Sequence, residues 1–295
     1  MNKKLGSLYG LKWNPFSPEI PTEACRTTPA LETFSWRVEN LAREGGFALV
    51  TGDPGTGKSV VLRQLLQRLS ALPNLVVATL TRPQGSVPDF YREIGELFGL
   101  RLSPHNRWAG TKLLRDRWQT HIESAAFRAV LLLDEAQELR STVLQELRLM
   151  ASADLDSRSL LTVVLAGHGS LAERLRSDEL LSVGSRVRVR LALESLPSAE
   201  LLAVLRHVLA EAGNAGLFTE DVLVTMAEHA AGNLRTMMTL GGELLDAALQ
   251  KNASRVDEKL YFEVVARPPA HEPRATKSTS KVNTLRQGAV RQEAR

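Results

Sequence analysis

Lys58 and Ser59 close an eight-residue pattern, Gly52-Asp-Pro-Gly-Thr-Gly-Lys-Ser59, in which glycines and a Pro54-Gly55 turn precede one cation and one hydroxyl. Glycines let a backbone approach an anion closely and turn successive N–H groups toward it, and a following helix adds its positive end. Lys58 is suited to sit between the β- and γ-phosphates of a nucleotide, and the Ser59 hydroxyl to ligate Mg²⁺. The candidate nucleotide contacts are therefore Gly52, Asp53, Pro54, Gly55, Thr56, Gly57, Lys58, Ser59 and Val60.

A second chemical group follows 76 residues after Lys58, where four aliphatic residues run into Asp134-Glu135. Asp134 can hold Mg²⁺ through water, and Glu135 can orient or deprotonate an attacking water. A third is His168, set between glycines at the end of another apolar run, where an imidazole could sense or position that water. Alternation in Val183-Gly-Ser-Arg-Val-Arg-Val-Arg190 puts Arg186, Arg188 and Arg190 on one face of an extended segment, and one of them could reach a neighbouring subunit's phosphate. Arg235 stands just inside the start of a later helix.

These groups need elements to hold them. Phe47–Thr51, Leu75–Leu80, Ala129–Leu133 and Leu160–Leu165 read as buried strands, because their apolar residues run without alternation. Helical spacing over 33–44, 60–69, 88–98, 112–124 and 142–152 alternates with them, the third and fourth separated by the Pro104/Gly110 region. Such a pattern implies a parallel sheet covered on both faces, with its chemistry at the carboxyl edge. Beyond Leu193 only helices are expected, near 198–212, 219–230 and 234–249. The expected organisation is an irregular leader over 1–29 that exposes Trp13 and Phe16, a nucleotide-binding domain over 30–193, a helical lid over 194–266 and a tail over 267–295.

The 295 residues carry a formal charge of +4. Seven Lys/Arg against two Asp/Glu fall from Arg267 onward, a local +5 that leaves the rest at about −1. That tail, poor in large apolar residues, is expected to be disordered and to touch nucleic acid or merely to solubilise the chain. One cysteine, Cys25, allows neither an internal disulfide nor a cysteine zinc site. No apolar run approaches twenty residues, so membrane insertion is not expected and the expected location is cytoplasmic.

Taken together, these stretches resemble the AAA+ ATPases. Gly52–Ser59 is similar to Walker A, Leu131–Glu135 to Walker B and Gly232-Asn-Leu-Arg235 to sensor 2, while His168 stands at sensor 1 and Ser185-Arg186 at the arginine-finger position. Tyr9-Gly-Leu-Lys-Trp-Asn-Pro-Phe-Ser, Leu132-Leu-Asp-Glu-Ala-Gln-Glu138 and Val164–Leu171 are similar to the ExeA-like group, which shades into transposon ATP-binding subunits of the MuB, TniB and IstB kind. The resemblance implies a three-layer α/β P-loop domain with a helical lid, which binds and hydrolyses ATP with Mg²⁺ at a subunit interface. It implies an ATP-dependent homo-oligomer on duplex DNA that regulates a transposase. Two alternatives are an assembly ATPase of a secretion system acting on a protein partner, and a nucleotide-switch module with negligible turnover. Lys112, Arg115 and Arg117, with Arg82 and Arg92, and the tail from Arg267 are the places where DNA phosphates could be met.

Overall fold

The computed structural model describes residues 3–266, apart from 82, 84, 103–105, 126 and 155–156. In chain order the elements are α1 (Lys3–Tyr9), α2 (Pro29–Glu44), β1 (Gly46–Gly52), α3 (Lys58–Ser70), β2 (Leu75–Leu80), α4 (Val87–Leu97), α5 (Arg107–Ala125) and β3 (Arg128–Leu133). Then come α6 (Ser141–Ala151), the short hairpin β4 (Ser152–Ala153) and β5 (Arg158–Ser159), β6 (Leu161–Gly167), α7 (Gly169–Arg174), α8 (Leu181–Gly184) and β7 (Val187–Leu193). Helices α9 (Ser198–Ala212), α10 (Glu220–His229), α11 (Leu234–Lys251) and α12 (Glu258–Val265) follow.

β2, β3, β6, β1 and β7 lie side by side in that order, all parallel. Because side chains alternate across a strand, each apolar run feeds two cores. Phe47, Leu49, Leu131, Leu133, Val163 and Leu165 face α4, α5 and α6, while Ala48, Val50, Val130, Leu132, Val164 and Ala166 face α2 and α3. The expected three-layer α/β fold with a helical C-terminal region is the fold observed. With β6 between β3 and β1, the loops after all three strands open next to one another at the sheet's carboxyl edge.

Helix starts follow the capping chemistry of the sequence. Thr28 accepts from Leu31 N and Pro29 takes the first helical position, so α2 starts four residues before the apolar spacing suggests. Gly110 does not break α5 but lies inside it, on the side packed against α4, where a Cβ would come 3.2 Å from Tyr91 Cδ1 and the ring would have to give by a few tenths of an ångström. α8 and a turn occupy 181–186, so Arg186 precedes β7 instead of sharing its outward face with Arg188 and Arg190.

The helical region has its own core, and the N-terminal stretch belongs to it. That stretch is not wholly irregular: α1 forms, and Leu5, Tyr9, Leu11 and Phe16 are buried with Leu205, Phe218, Leu244 and Tyr261. The two aromatics expected to be exposed turn inward. Phe16 stacks edge-on against Phe218 at 5.4 Å and fills a notch at Gly241, where a Cβ would collide with its ring, and Trp13 packs on the same core. The stretch then crosses to the other layer: the 3₁₀ turn Thr22–Ala24 packs between α9 and α3. There Arg63 donates to the Pro18 and Ile20 carbonyls at 2.6 and 3.1 Å. Residues 267–295, the expected disordered tail, lie outside the described residues.

Candidate nucleotide site

The stretch from Gly52 to Ser59 leaves the end of β1 and becomes α3 at Lys58. Gly55 and Gly57 have φ of 87° and 103°, left-handed backbone that favours glycine and lets the loop wrap. Thr56 Oγ1 donates to the Asp53 carbonyl at 2.8 Å and steadies the curve. Lys58 is only 8% exposed, and its Nζ reaches back over the loop to the Gly52 and Asp53 carbonyls at 2.8 and 2.9 Å. Burial pulls its ammonium below its ordinary pKa, Glu135 and Asp134 push the other way, and Arg235 adds to the lowering. A buried ammonium with a guanidinium close by is a place suited to a polyanion.

The metal-type pair meets across the sheet edge, where Ser59 Oγ donates to Asp134 Oδ2 at 2.8 Å. One hydroxyl and one carboxylate are a donor set that fits Mg²⁺, which takes few protein oxygens and keeps phosphate and water for the rest. Asp134 is anchored by its own N–H to the Leu80 carbonyl, and its Oδ1 accepts from Glu135 N at 2.9 Å. Glu135 itself has φ 51°, an uncommon conformation for a residue with a Cβ, and is exposed at the mouth of the site.

His168 caps α7 at the end of β6: Nδ1 accepts from Ser170 N at 3.3 Å, which leaves Nε2 to carry the N–H that meets Asp53 Oδ1 at 3.2 Å. The third strand loop is thereby tied to the first. Gln137 ties it to the second. Its Oε1 accepts from His168 N at 3.0 Å and its Nε2 donates to Glu135 Oε2. The glutamine was not singled out from the sequence, although its place two residues after Glu135 was visible.

Comparison with known proteins identifies this arrangement. A family model described as an AAA domain matches residues 41–175. The chain is 32% identical over 256 residues to general secretion pathway protein A of Aeromonas hydrophila, an alignment covering 84% of this chain and 45% of that one. It is 26% identical over 161 residues to the ATP-dependent target DNA activator B of Escherichia phage Mu, covering 53% and 47%. The domain is an AAA+ domain of the ExeA/MuB-like group. The chain spans about half the length of the curated relatives it matches. Solved structures share the fold: the Aeropyrum pernix ORC2 protein with ADPNP and ADP has a TM-score of 0.69 at 14% identity, covering 88% of this chain and 72% of that one. The ORC1 protein of that organism in complex with DNA has 0.67 at 21%, covering 85% and 68%.

In this AAA+ domain, nucleotide binding is what the fold implies, and the lid meets the phosphate loop directly. Asn233 caps α11, its Oδ1 accepting from Arg235 N and Thr236 N at 2.9 and 3.2 Å, while its Nδ2 donates to the Pro54 carbonyl at 3.0 Å. Arg235 N also reaches the Gly55 carbonyl at 3.3 Å, and a Cβ at Gly55 would collide with the Asn233 amide. Asn233 lies inside the Gly232–Arg235 stretch already quoted, but its bond to the phosphate loop is a role that the stretch alone did not give it.

Arg186 is not brought to this site. Its Nη1 donates to the Ser182 carbonyl in the turn before β7. Val187 pairs with Phe47 while Leu193 pairs with Gly52, so Arg186 sits at the far edge of the sheet, roughly 17 Å of strand from the start of the loop. Arg188 pairs with Glu44 at 3.2 Å, and Arg190 donates to the Gly184 carbonyl at 3.2 Å. Of the basic positions, Lys112 stands 5.3 Å over the ring of Trp108, which is 74% exposed, and Arg115 lies on the same side of α5. Arg117 is about 140° round the helix from Lys112, beside Phe127, so the three do not form one surface. Arg92 is paired with Asp89 at 2.8 Å. Arg82 lies outside the described residues, and no described helix is long and apolar enough to cross a membrane.

Proposed function

We propose that the chain hydrolyses ATP with Mg²⁺ at a site completed by a neighbouring copy, and that the ATP-bound oligomer assembles on duplex DNA and regulates a transposase. The observation that carries the hydrolase reading is the 2.8 Å contact of Ser59 Oγ with Asp134 Oδ2 beside the buried Lys58 ammonium. In this reading Lys58 leaves its loop carbonyls for the β- and γ-phosphates, and the loop N–H groups receive the β-phosphate. Ser59 and Asp134 hold Mg²⁺, which when bound neutralises charge on the phosphate oxygens. Glu135 takes the proton of the attacking water, His168 helps to place that water, and Arg235 covers the phosphates from the lid.

Arg186 is the arginine assigned to the neighbour's γ-phosphate. Its place on the opposite edge of the sheet from its own loop supports a role between copies, since one side chain cannot span that distance.

The DNA part of the proposal draws on the match to a protein named for target DNA activation, and on Lys112, Arg115 and the exposed Trp108 beside them. A protein-directed reading, assembly of a secretion system, is favoured by the longer match to general secretion pathway protein A. A polarisation titration of labelled duplex, with and without ATP at two salt concentrations, separates them. ATP-dependent binding of arbitrary sequence that weakens steeply with salt is expected for the first. No affinity for duplex at low salt with ATP present would leave the protein-directed reading.

A further inference from the structure

Gln137 uses both ends of its side-chain amide, and on two different strand loops. The carbonyl end accepts from the backbone N–H of His168 at the end of β6, and the amino end donates to the carboxylate of Glu135 at the end of β3. The orientation is forced, because only Oε1 can accept from an N–H and only Nε2 can donate to a carboxylate. Its backbone is held as well: Arg174 donates from Nη1 to the Gln137 carbonyl at 2.6 Å and from Nη2 to the Leu139 carbonyl at 2.9 Å. The seat is shaped for this side chain. A Cβ on Gly167 would lie 2.5 Å from Gln137 Oε1, although Gly167 ends a strand whose conformation any residue can adopt.

We propose that Gln137 is a positioning residue for ATP hydrolysis: its amide spans the gap between the β6 and β3 loops and fixes the Glu135 carboxylate in the orientation that receives the proton of water. The inference rests on the reading of Glu135 as the base. Glu135 sits in a left-handed conformation two residues beyond the strand, at the start of the 3₁₀ turn Ala136–Glu138, and its side chain makes no capping bond to that turn that would orient it. The amide supplies that orientation. Neither end of Gln137 contacts the phosphate loop directly, so loss of the amide is expected to leave ATP affinity unchanged.

The test is steady-state hydrolysis and ATP affinity, the latter by a fluorescent ATP analogue, on the full chain for wild type, Gln137→Leu, Gln137→Glu, Gly167→Ala, the Gln137→Leu/Gly167→Ala double variant and Glu135→Gln. Gln137→Leu keeps the volume and loses both hydrogen bonds, and Gln137→Glu keeps the shape but sets a second carboxylate against Glu135. Each is expected to lose ten- to a hundredfold in kcat with ATP affinity unchanged. Gly167→Ala, which denies Gln137 its seat, should lose a similar factor, and the double variant should be no worse than either single one. A purely structural role would lower thermal stability and ATP affinity together and make the two substitutions additive. Wild-type kcat in Gln137→Leu beside a dead Glu135→Gln would overturn this inference alone, as would a rise in turnover, which would mean that the amide restrains Glu135. Full turnover in Glu135→Gln, or none in wild type at any protein concentration, would instead remove the hydrolase reading and this inference with it.

Discussion

The side-chain amide of Asn233 donates to the carbonyl of Pro54 at 3.0 Å while its oxygen caps the helix that carries Arg235. One residue therefore sets both the lid helix and its distance from the phosphate loop. Aspartate caps a helix as well as asparagine but has no N–H to give Pro54. Asn233→Asp should weaken ATP binding about fivefold, the scale of one lost hydrogen bond, with little change in Tm. Unchanged affinity would show that the contact is incidental.

The two acidic and basic centres of the site should fail differently. Lys58→Ala removes the buried ammonium from the loop and should abolish ATP binding. Glu135→Gln should bind ATP as wild type does and lose hydrolysis, because an amide keeps the shape without accepting a proton. Isothermal titration alongside phosphate release distinguishes the two, and equal affinity in wild type and Lys58→Ala would remove the loop's assigned role.

Arg186 should be separable from both. Arg186→Ala is expected to bind ATP normally and lose roughly three decades of turnover, the scale on which such arginines act. Mixing it with Glu135→Gln subunits, whose Arg186 is intact, should restore turnover at the Arg186→Ala sites. Absence of rescue in mixtures that co-assemble would transfer the role to Arg188 or Arg190, or to an arginine within the same copy.

Phe16 gives a prediction of stability instead of chemistry. Its ring is buried in the Gly241 notch against Phe218. Phe16→Ala should cost about 3 kcal/mol in urea unfolding. A loss below about 1 kcal/mol would mean that the N-terminal stretch docks without holding the helical core together.

Much of the sheet was legible because its signals are local. Leu75–Leu80 has the bounds that its apolar run suggests, and Ser59 and Asp134, named from spacing, stand 2.8 Å apart. What was hidden depends on partners distant in sequence. Gly110 looks like a breaker until Tyr91 is seen against it, and the 10–30 stretch looks irregular until Gly241 supplies a notch for Phe16. Arg186 looks like part of an alternating strand because nothing nearby in sequence announces α8. Gln137 and Asn233 stand inside the quoted runs Leu132–Glu138 and Gly232–Arg235, but their bridging of two loops was hidden, because bridging has no spacing of its own.

The crossing of the N-terminal stretch bears on how the molecule can move. Besides the covalent joint after Leu193, lid and body are tied by a strap, fastened at one end by Phe16 in the lid and at the other by Arg63 gripping the Pro18 and Ile20 carbonyls. Any movement of the lid relative to the body must therefore carry these two fastenings with it or break them. Arg63 lies on α3, the helix that begins with Lys58. The lid is thus joined to the phosphate loop by two routes, Asn233 directly and the strap through Arg63 on α3.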